Sequence, residues 1–234
     1  MQVMKHRWSS PLLAALVAIV VGGLAESFSY AAEAPVVIDP PKFDQPKAAG
    51  ALQTAVFGGG CFWGVQGVFE HVRGVQKVVS GYAGGNKATA QYELVATGTT
   101  GHAESVQITY DPAVVSYGEL LRIFFSVAHD PTQLNRQGPD SGTQYRSVIF
   151  YGSEAQKSVA QAYITQLGQA HAYARQIVTQ LSPAGGFYPA EDYHQDYLVQ
   201  HPRDLYIVYN DLPKVANLQR LFPASWRGTP VSWR

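Results

Sequence analysis

Apolar positions follow one rhythm up to Cys61 and another after it. The run "LQTAVFGGG" (52–60) is short, apolar and broken by glycines, the pattern of a buried strand. From Cys61 onward Phe62, Val65, Val68, Phe69 and Val72 recur at helical spacing, so a helix opens at about the cysteine. "GVQKVVSGYAGG" (74–85) reads as a strand with a glycine turn, and "AESVQITYDP" (103–112) alternates with period two until Pro112. "SYGELLRIFFSVAHDP" (116–131) begins with Ser116 and carries Glu119 three residues on, a capping box, with Leu120, Leu121, Phe124 and Phe125 as its buried stripe. A strand over 146–151, a helix capped by Ser153 and running to about Ala170, and a strand over 174–182 follow. A short helix over 190–202 and a last one over 211–223, docked or loose, complete the pattern, and no internal repeat occurs. Strands mixed with helices predict an α/β fold, a two-layer sandwich with a mixed sheet around a ferredoxin-like core.

The ends differ from the middle. Lys5, His6 and Arg7 precede the uncharged run 11–25, and small residues follow at 29–34, the order of a secretory signal over 1–31. The apolar run is shorter than the ~20 residues a membrane-spanning helix needs. Residues 32–50 are rich in proline and alanine and read as an extended linker. The catalytic domain is expected over 51–210, and a C-terminal helix and tail over 211–234. Lys plus Arg equals Asp plus Glu at 17 each, so net charge points to neither nucleic acid nor an anionic surface. The histidines and the one cysteine show no metal-ligand spacing. Export places that cysteine in an oxidising compartment with no internal partner, so the thiol is inert, intermolecular or catalytic.

Position favours the last of these. A cysteine at the first turn of a helix meets free backbone N–H groups and the positive end of the helix dipole, and both favour thiolate. Gly60 and its neighbours would let the backbone approach a substrate closely. The bland alternative is a small buried core residue. Glu104 is in register with Val106, Ile108 and Tyr110. On a core-facing strand its carboxyl would be desolvated, with a raised pKa, and able to donate a proton. The alternative places it past the strand end, facing solvent, because Gly101 and His102 mark a turn.

"GGGCFWG", "GYAGG", "TGHAESV", "HDPT", "NRQGPDSGTQYRS" and "FYPAEDYHQDYL" occur in this order. The set closely resembles peptide methionine sulfoxide reductase, type A, over about 54–202. The resemblance implies that Cys61 is the nucleophile that attacks the sulfoxide sulfur. It implies that Phe62 and Trp63 wall the pocket for the substrate methyl group, and that Glu104 protonates the sulfoxide oxygen. Tyr92 and Tyr145 match hydroxyls that bind that oxygen. Asp140 matches a site-lining carboxylate, preceded here by Pro139 where the family usually has Asn, and His194 matches a motif position of unassigned role. The implied reaction reduces the S epimer and needs no metal, flavin or nucleotide. Many family members resolve the sulfenic acid with further cysteines, often in a C-terminal tail; this sequence has none after Cys61. An external thiol, from a thioredoxin-like protein or a small molecule, is therefore the expected reductant. Oxidised proteins in the periplasm are the expected clients and a monomer the expected state. Two other readings compete: an exported cysteine hydrolase with His102, His129 or His194 as base, and a non-catalytic domain whose aromatics grip a peptide.

Overall fold

The computed structural model describes residues 33–234; the expected secretory segment lies outside the described residues. The chain runs β1 (Gln53–Gly58), α1 (Phe62–Glu70), β2 (Val75–Ala83), α2 (Tyr92–Val95), β3 (Ala103–Tyr110) and α3 (Tyr117–Ile123). It continues with β4 (Arg136–Gln137), β5 (Asp140–Ser141), β6 (Val148–Tyr151), α4 (Glu154–Gln169), β7 (Gln180–Pro183) and β8 (Phe187–Pro189). A four-residue α5 (Tyr197–Gln200) and α6 (Leu212–Leu221) follow. Wider π-type turns extend α3 over Phe124–Ala128 and lead into α6 over Ile207–Asp211.

Six strands form one sheet in the order β7-β6-β1-β3-β2-β8. The inner four, β6-β1-β3-β2, pair antiparallel with one another and arise from a β-α-β-β-α-β chain order, which is the ferredoxin-like arrangement expected. β7 joins parallel to β6 after the crossover through α4, so the sheet is mixed. Period-two alternation sorts the strands' faces. Phe57, Val106, Ile108 and Tyr110 enter the main core with Val65, Val68 and Phe69 of α1 and Leu120, Leu121, Phe124 and Phe125. Val56, Ala103, Val148 and Phe150 form a smaller cluster under Phe187. No described helix is long and apolar enough to cross a membrane.

The structure differs from the sequence expectation at three places and decides a fourth that the sequence left open. Residues 34–50 have no helix or strand, as a linker should, yet they are bound to the domain. The Val36 N–H donates to the Ser126 carbonyl, Arg122 and Tyr163 donate to the carbonyls of Ile38 and Asp39, and Ile38 is buried. Asp44 accepts from Ser116 Oγ and the Gly118 N–H at the start of α3, beside the expected capping box. The strand expected over 174–182 shortens to β7, with the Val178 N–H held instead by the Pro131 carbonyl. The expected helix over 190–202 is interrupted. Asp196 adopts φ +50, and the Gln195 side chain bonds to the backbone of Ser80 and Ala190 as a strand residue would. Last, the 211–234 segment is docked: Val215 and Leu218 enter the core, Trp226 stacks on His71 at 4.8 Å, and the Val231 N–H donates to the Glu70 carbonyl.

Candidate active site

The strand-to-helix turn after β1 sets the site. Gly60 has φ +90, a conformation that side chains with a Cβ rarely adopt, and its Cα presses on Gln137, where a Cβ would come within 2.7 Å. The glycine expected to admit substrate thus packs against protein, and its turn delivers Cys61 to the N-cap of α1. The Cys61 side chain is nearly buried, with 9% exposure.

Glu104 stands opposite Tyr82 in the β2–β3 ladder, on the core side, with 2% exposure. The turn at Gly101 and His102 ends before it, so the solvent-facing alternative is overturned. Its Oε2 accepts from the Phe62 N–H at 3.1 Å, one of the free donors at the start of α1. Burial pushes the carboxyl up to about 8 despite that bond, and the nearby Asp140 and Asp211 carboxylates add to the rise. Glu104 is therefore predominantly a neutral acid at neutral pH.

The thiolate expectation fails in the resting state. Burial pushes the Cys61 thiol well above its ordinary value, and Glu104, Asp211 and Asp140 push the same way. The Trp63 backbone N–H opposes them. A helix start favours thiolate locally, but burial, reinforced by carboxyl groups brought in from distant elements, outweighs it.

The aromatic residues divide into wall and support. Phe62 is buried, its ring 5.9 Å from Tyr82 and 5.1 Å from His194. Trp63 is half-buried, stacked on Tyr197 at 3.8 Å and edge-on to Tyr206. Its indole N–H donates to His194 Nδ1 at 3.2 Å, which assigns the histidine proton to Nε2. His194 is buried, its basicity lowered by burial, and it packs 4.5 Å from Tyr92. It orients Trp63 from behind. Tyr92 opens α2, with its N–H bonded to Glu191, and Tyr145 closes the turn Thr143–Tyr145. Burial, with the neighbouring Glu104 and Cys61 adding to it, raises both phenols. Asp140 pairs with Gln137 across a two-residue turn in which Gly138 takes φ +51 and Pro139 follows. The proline fits that turn, and Asp140 accepts a short hydrogen bond from the Tyr206 hydroxyl.

Tyr206, Asp211 and Lys214 are the site residues that sequence reasoning missed: all three lie past the matched motifs, which end at about 202, and the last two past the boundary drawn at 210. Asp211 has 0% and Lys214 5% exposure. Lys214 Nζ lies 3.4 Å from Asp211 Oδ1. A signal existed: Asp211, Lys214, Val215 and Leu218 follow i, i+3, i+4, i+7, placing two charges on the helix's apolar face.

The histidines proposed as hydrolase bases are all otherwise engaged. His102 accepts from the Gly85 N–H and bonds to the Asn86 carbonyl. His129 is held between the Phe124 carbonyl and Ser147 Oγ, and burial lowers it to about 4. The His194 Nδ1 lone pair is taken by Trp63.

Comparison with known proteins agrees with this arrangement. Residues 53–225 match the family described as peptide methionine sulfoxide reductase. Peptide methionine sulfoxide reductase MsrA 2 of Mesorhizobium japonicum is 64% identical over 79% of this chain and 95% of its own length. The protein of the same name from Synechocystis is 52% identical over 88% of this chain and 95% of its own length. Among solved structures, the reduced form of Mxr1 from Saccharomyces cerevisiae superposes with a TM-score of 0.59 at 32% identity, covering 70% of this chain and 92% of that one. Methionine sulfoxide reductase A of Corynebacterium diphtheriae gives 0.56 at 33% identity, covering 76% and 92%. With the cysteine, the buried acid and the aromatic wall assembled as described, the chain belongs to the peptide methionine sulfoxide reductase family.

Proposed function

We propose that the chain reduces the S epimer of methionine sulfoxide, free or in oxidised proteins, to methionine. The observation that carries this reading is a neutral buried acid, Glu104, beside a buried thiol at a helix start with an aromatic wall next to it. Trp63, supported by His194, with Phe62 beneath, offers an apolar slot for the substrate methyl group, and the slot's handedness selects the epimer. Tyr92 and Tyr145 hold the sulfoxide oxygen, and Asp140 with Tyr206 closes the far side.

Cys61 sulfur attacks the sulfoxide sulfur while Glu104 gives its proton to the oxygen. An S–S bond forms as the substrate S–O bond breaks, the released hydroxide then attacks the Cys61 sulfur as the S–S bond breaks and the thioether leaves, and the thiol proton restores Glu104. Thiol and sulfoxide become sulfenic acid and thioether, so the cysteine loses the two electrons that the substrate sulfur gains. Cys61 is the only cysteine in the sequence, so an external thiol attacks the sulfenic sulfur, water leaves, and a second thiol opens the mixed disulfide. A thioredoxin-like protein or a small thiol of the same compartment fills that role. Export to the periplasm by the 1–31 signal, with a monomeric enzyme released, completes the reading.

Single turnover tests it. Without reductant, one mole of enzyme should yield at most one mole of methionine from the S epimer, none from the R epimer, and a dimedone-reactive Cys61. Cys61→Ser should yield none. Methionine from the serine variant, or turnover beyond one equivalent with thiols excluded, refutes the reading.

A further inference from the structure

Three carboxyl groups face Cys61 from three elements: Glu104 on β3, Asp140 on β5 and Asp211 at the head of α6. The phenols of Tyr92, Tyr145, Tyr197 and Tyr206 also feel the cysteine's charge. Among these groups lies one buried cation, Lys214. It is held by Asp211 at 3.4 Å and by Glu33, from the N-terminal strap, at 4.0 Å. The pair is seated on the first turn of α1. A Cβ on Gly64, three residues past Cys61, would come within 2.1 Å of Asp211 Oδ1 and 3.2 Å of Lys214 Nζ. Asp211 Oδ2 is buried and has no hydrogen-bond partner, so the pair is not fully satisfied as a structural bridge. Burying an ammonium costs stability unless it is paired and hydrogen-bonded, and here one oxygen of its partner is left without a bond. Val215 and Leu218 already pack α6 onto the core without it.

We infer that Lys214 is a positioning residue for Cys61, the counter-charge that lets the buried sulfur become anionic at the moment of attack, and that Asp211 fixes where that charge sits. The inference rests on the reading of Cys61 as nucleophile. It also explains how a thiol surrounded by carboxyl groups reacts at all. As Cys61 loses its proton to the basic form of Glu104 or to solvent, the charge formed is stabilised by Lys214 across the start of α1. Glu33 shares the ammonium, so the strap enters the same balance.

The test is the pH dependence of Cys61 alkylation by iodoacetamide in the full chain, which needs no reductase turnover. Lys214→Met and Lys214→Gln should raise the midpoint by about one unit or more, the range of a neighbouring charge. Lys214→Arg should keep it near the parent value, and Asp211→Asn should lower it. At pH 7 the uncharged Lys214 variants should slow single-turnover methionine formation about tenfold, with KM little changed. A merely structural lysine would lower Tm and leave the midpoint in place. An unmoved midpoint in any folded Lys214→Met, Lys214→Gln or Asp211→Asn variant overturns the inference. Moved midpoints in a chain that fails to reduce methionine sulfoxide would instead refute the function and leave the electrostatic pairing standing.

Discussion

Cys61 and Glu104 gain reactivity from opposite protonation states, and the site holds both in the neutral one. Glu104, held near 8, keeps its proton through neutral pH and loses it as pH rises through about 8, while the thiol ionises more readily as pH rises. The chemical step should therefore have a bell-shaped pH profile whose alkaline limb belongs to Glu104. Glu104→Gln keeps a donor for the sulfoxide oxygen but cannot release a proton. It should slow single-turnover sulfenic acid formation by ~10²–10⁴-fold with KM nearly unchanged, and the alkaline limb should move. An unchanged rate would reduce Glu104 to a structural acid. The burial of Glu104 was legible because register with Val106, Ile108 and Tyr110 pointed to its face. The resting state of Cys61 was misread because a local argument sees the helix start and not the Asp140 and Asp211 carboxylates, which arrive about 80 and 150 residues later.

At the scale of elements, α1 begins at Cys61 and also receives α6. The contact is possible because position 64 has no side chain. Gly64→Ala should displace the Asp211 carboxylate and Lys214 with it. We expect a loss of activity of about tenfold or more and a stability cost of ~1–3 kcal/mol from overpacking, checked by single-turnover rate and denaturant titration. Full activity would mean that α6 slides without consequence. Helix starts were legible where a side chain announces them, as Ser116 and Glu119 do at α3. The strap was not, because proline-rich composition reports an extended backbone but not where its carbonyls find donors. Arg122, Ser126 and Tyr163 supply those donors, and nothing in their own local sequence marks them for it. The failed helix over 190–202 has a similar cause: Gln195 bonds to a strand that is remote in sequence, and that contact outweighs local helical spacing.

Across the whole molecule, the two ends of the described chain close over the sheet's helical side and are tied down by charge. Glu70 is fully buried, and neither carboxylate oxygen has a hydrogen-bond partner. Burial, with Asp196 adding to it, lifts this acid to about 9. Because its folded value lies above the ordinary 4.5, its support for the fold is complete below about 4.5 and is lost as pH rises toward 9. Asp196, its neighbour, accepts from Ser232 Oγ and the Trp233 N–H, so the C-terminal residues are anchored at the same point. Glu70→Gln should flatten the fall in Tm between pH 5 and pH 9 and add ~1–3 kcal/mol at pH 8. A parallel decline in parent and variant would place the pH dependence elsewhere. The two-layer α/β sandwich with a mixed sheet was legible from the alternating periods. The docking of the C-terminal segment was not, since its helix is amphipathic whether bound or free.

The Asp211–Lys214 pair also bears on the order in which the protein is made. Chains are synthesised from the N-terminus and domains begin to fold as they emerge. The sheet's ferredoxin-like core is complete at Tyr151, but the cation beside Cys61 is added more than 60 residues later. Until that stretch emerges, a nascent chain can assemble its sheet and display its thiol without the partner that makes the thiol reactive. Activation is thereby delayed until α6 has emerged, and a chain interrupted before it carries a quiescent cysteine.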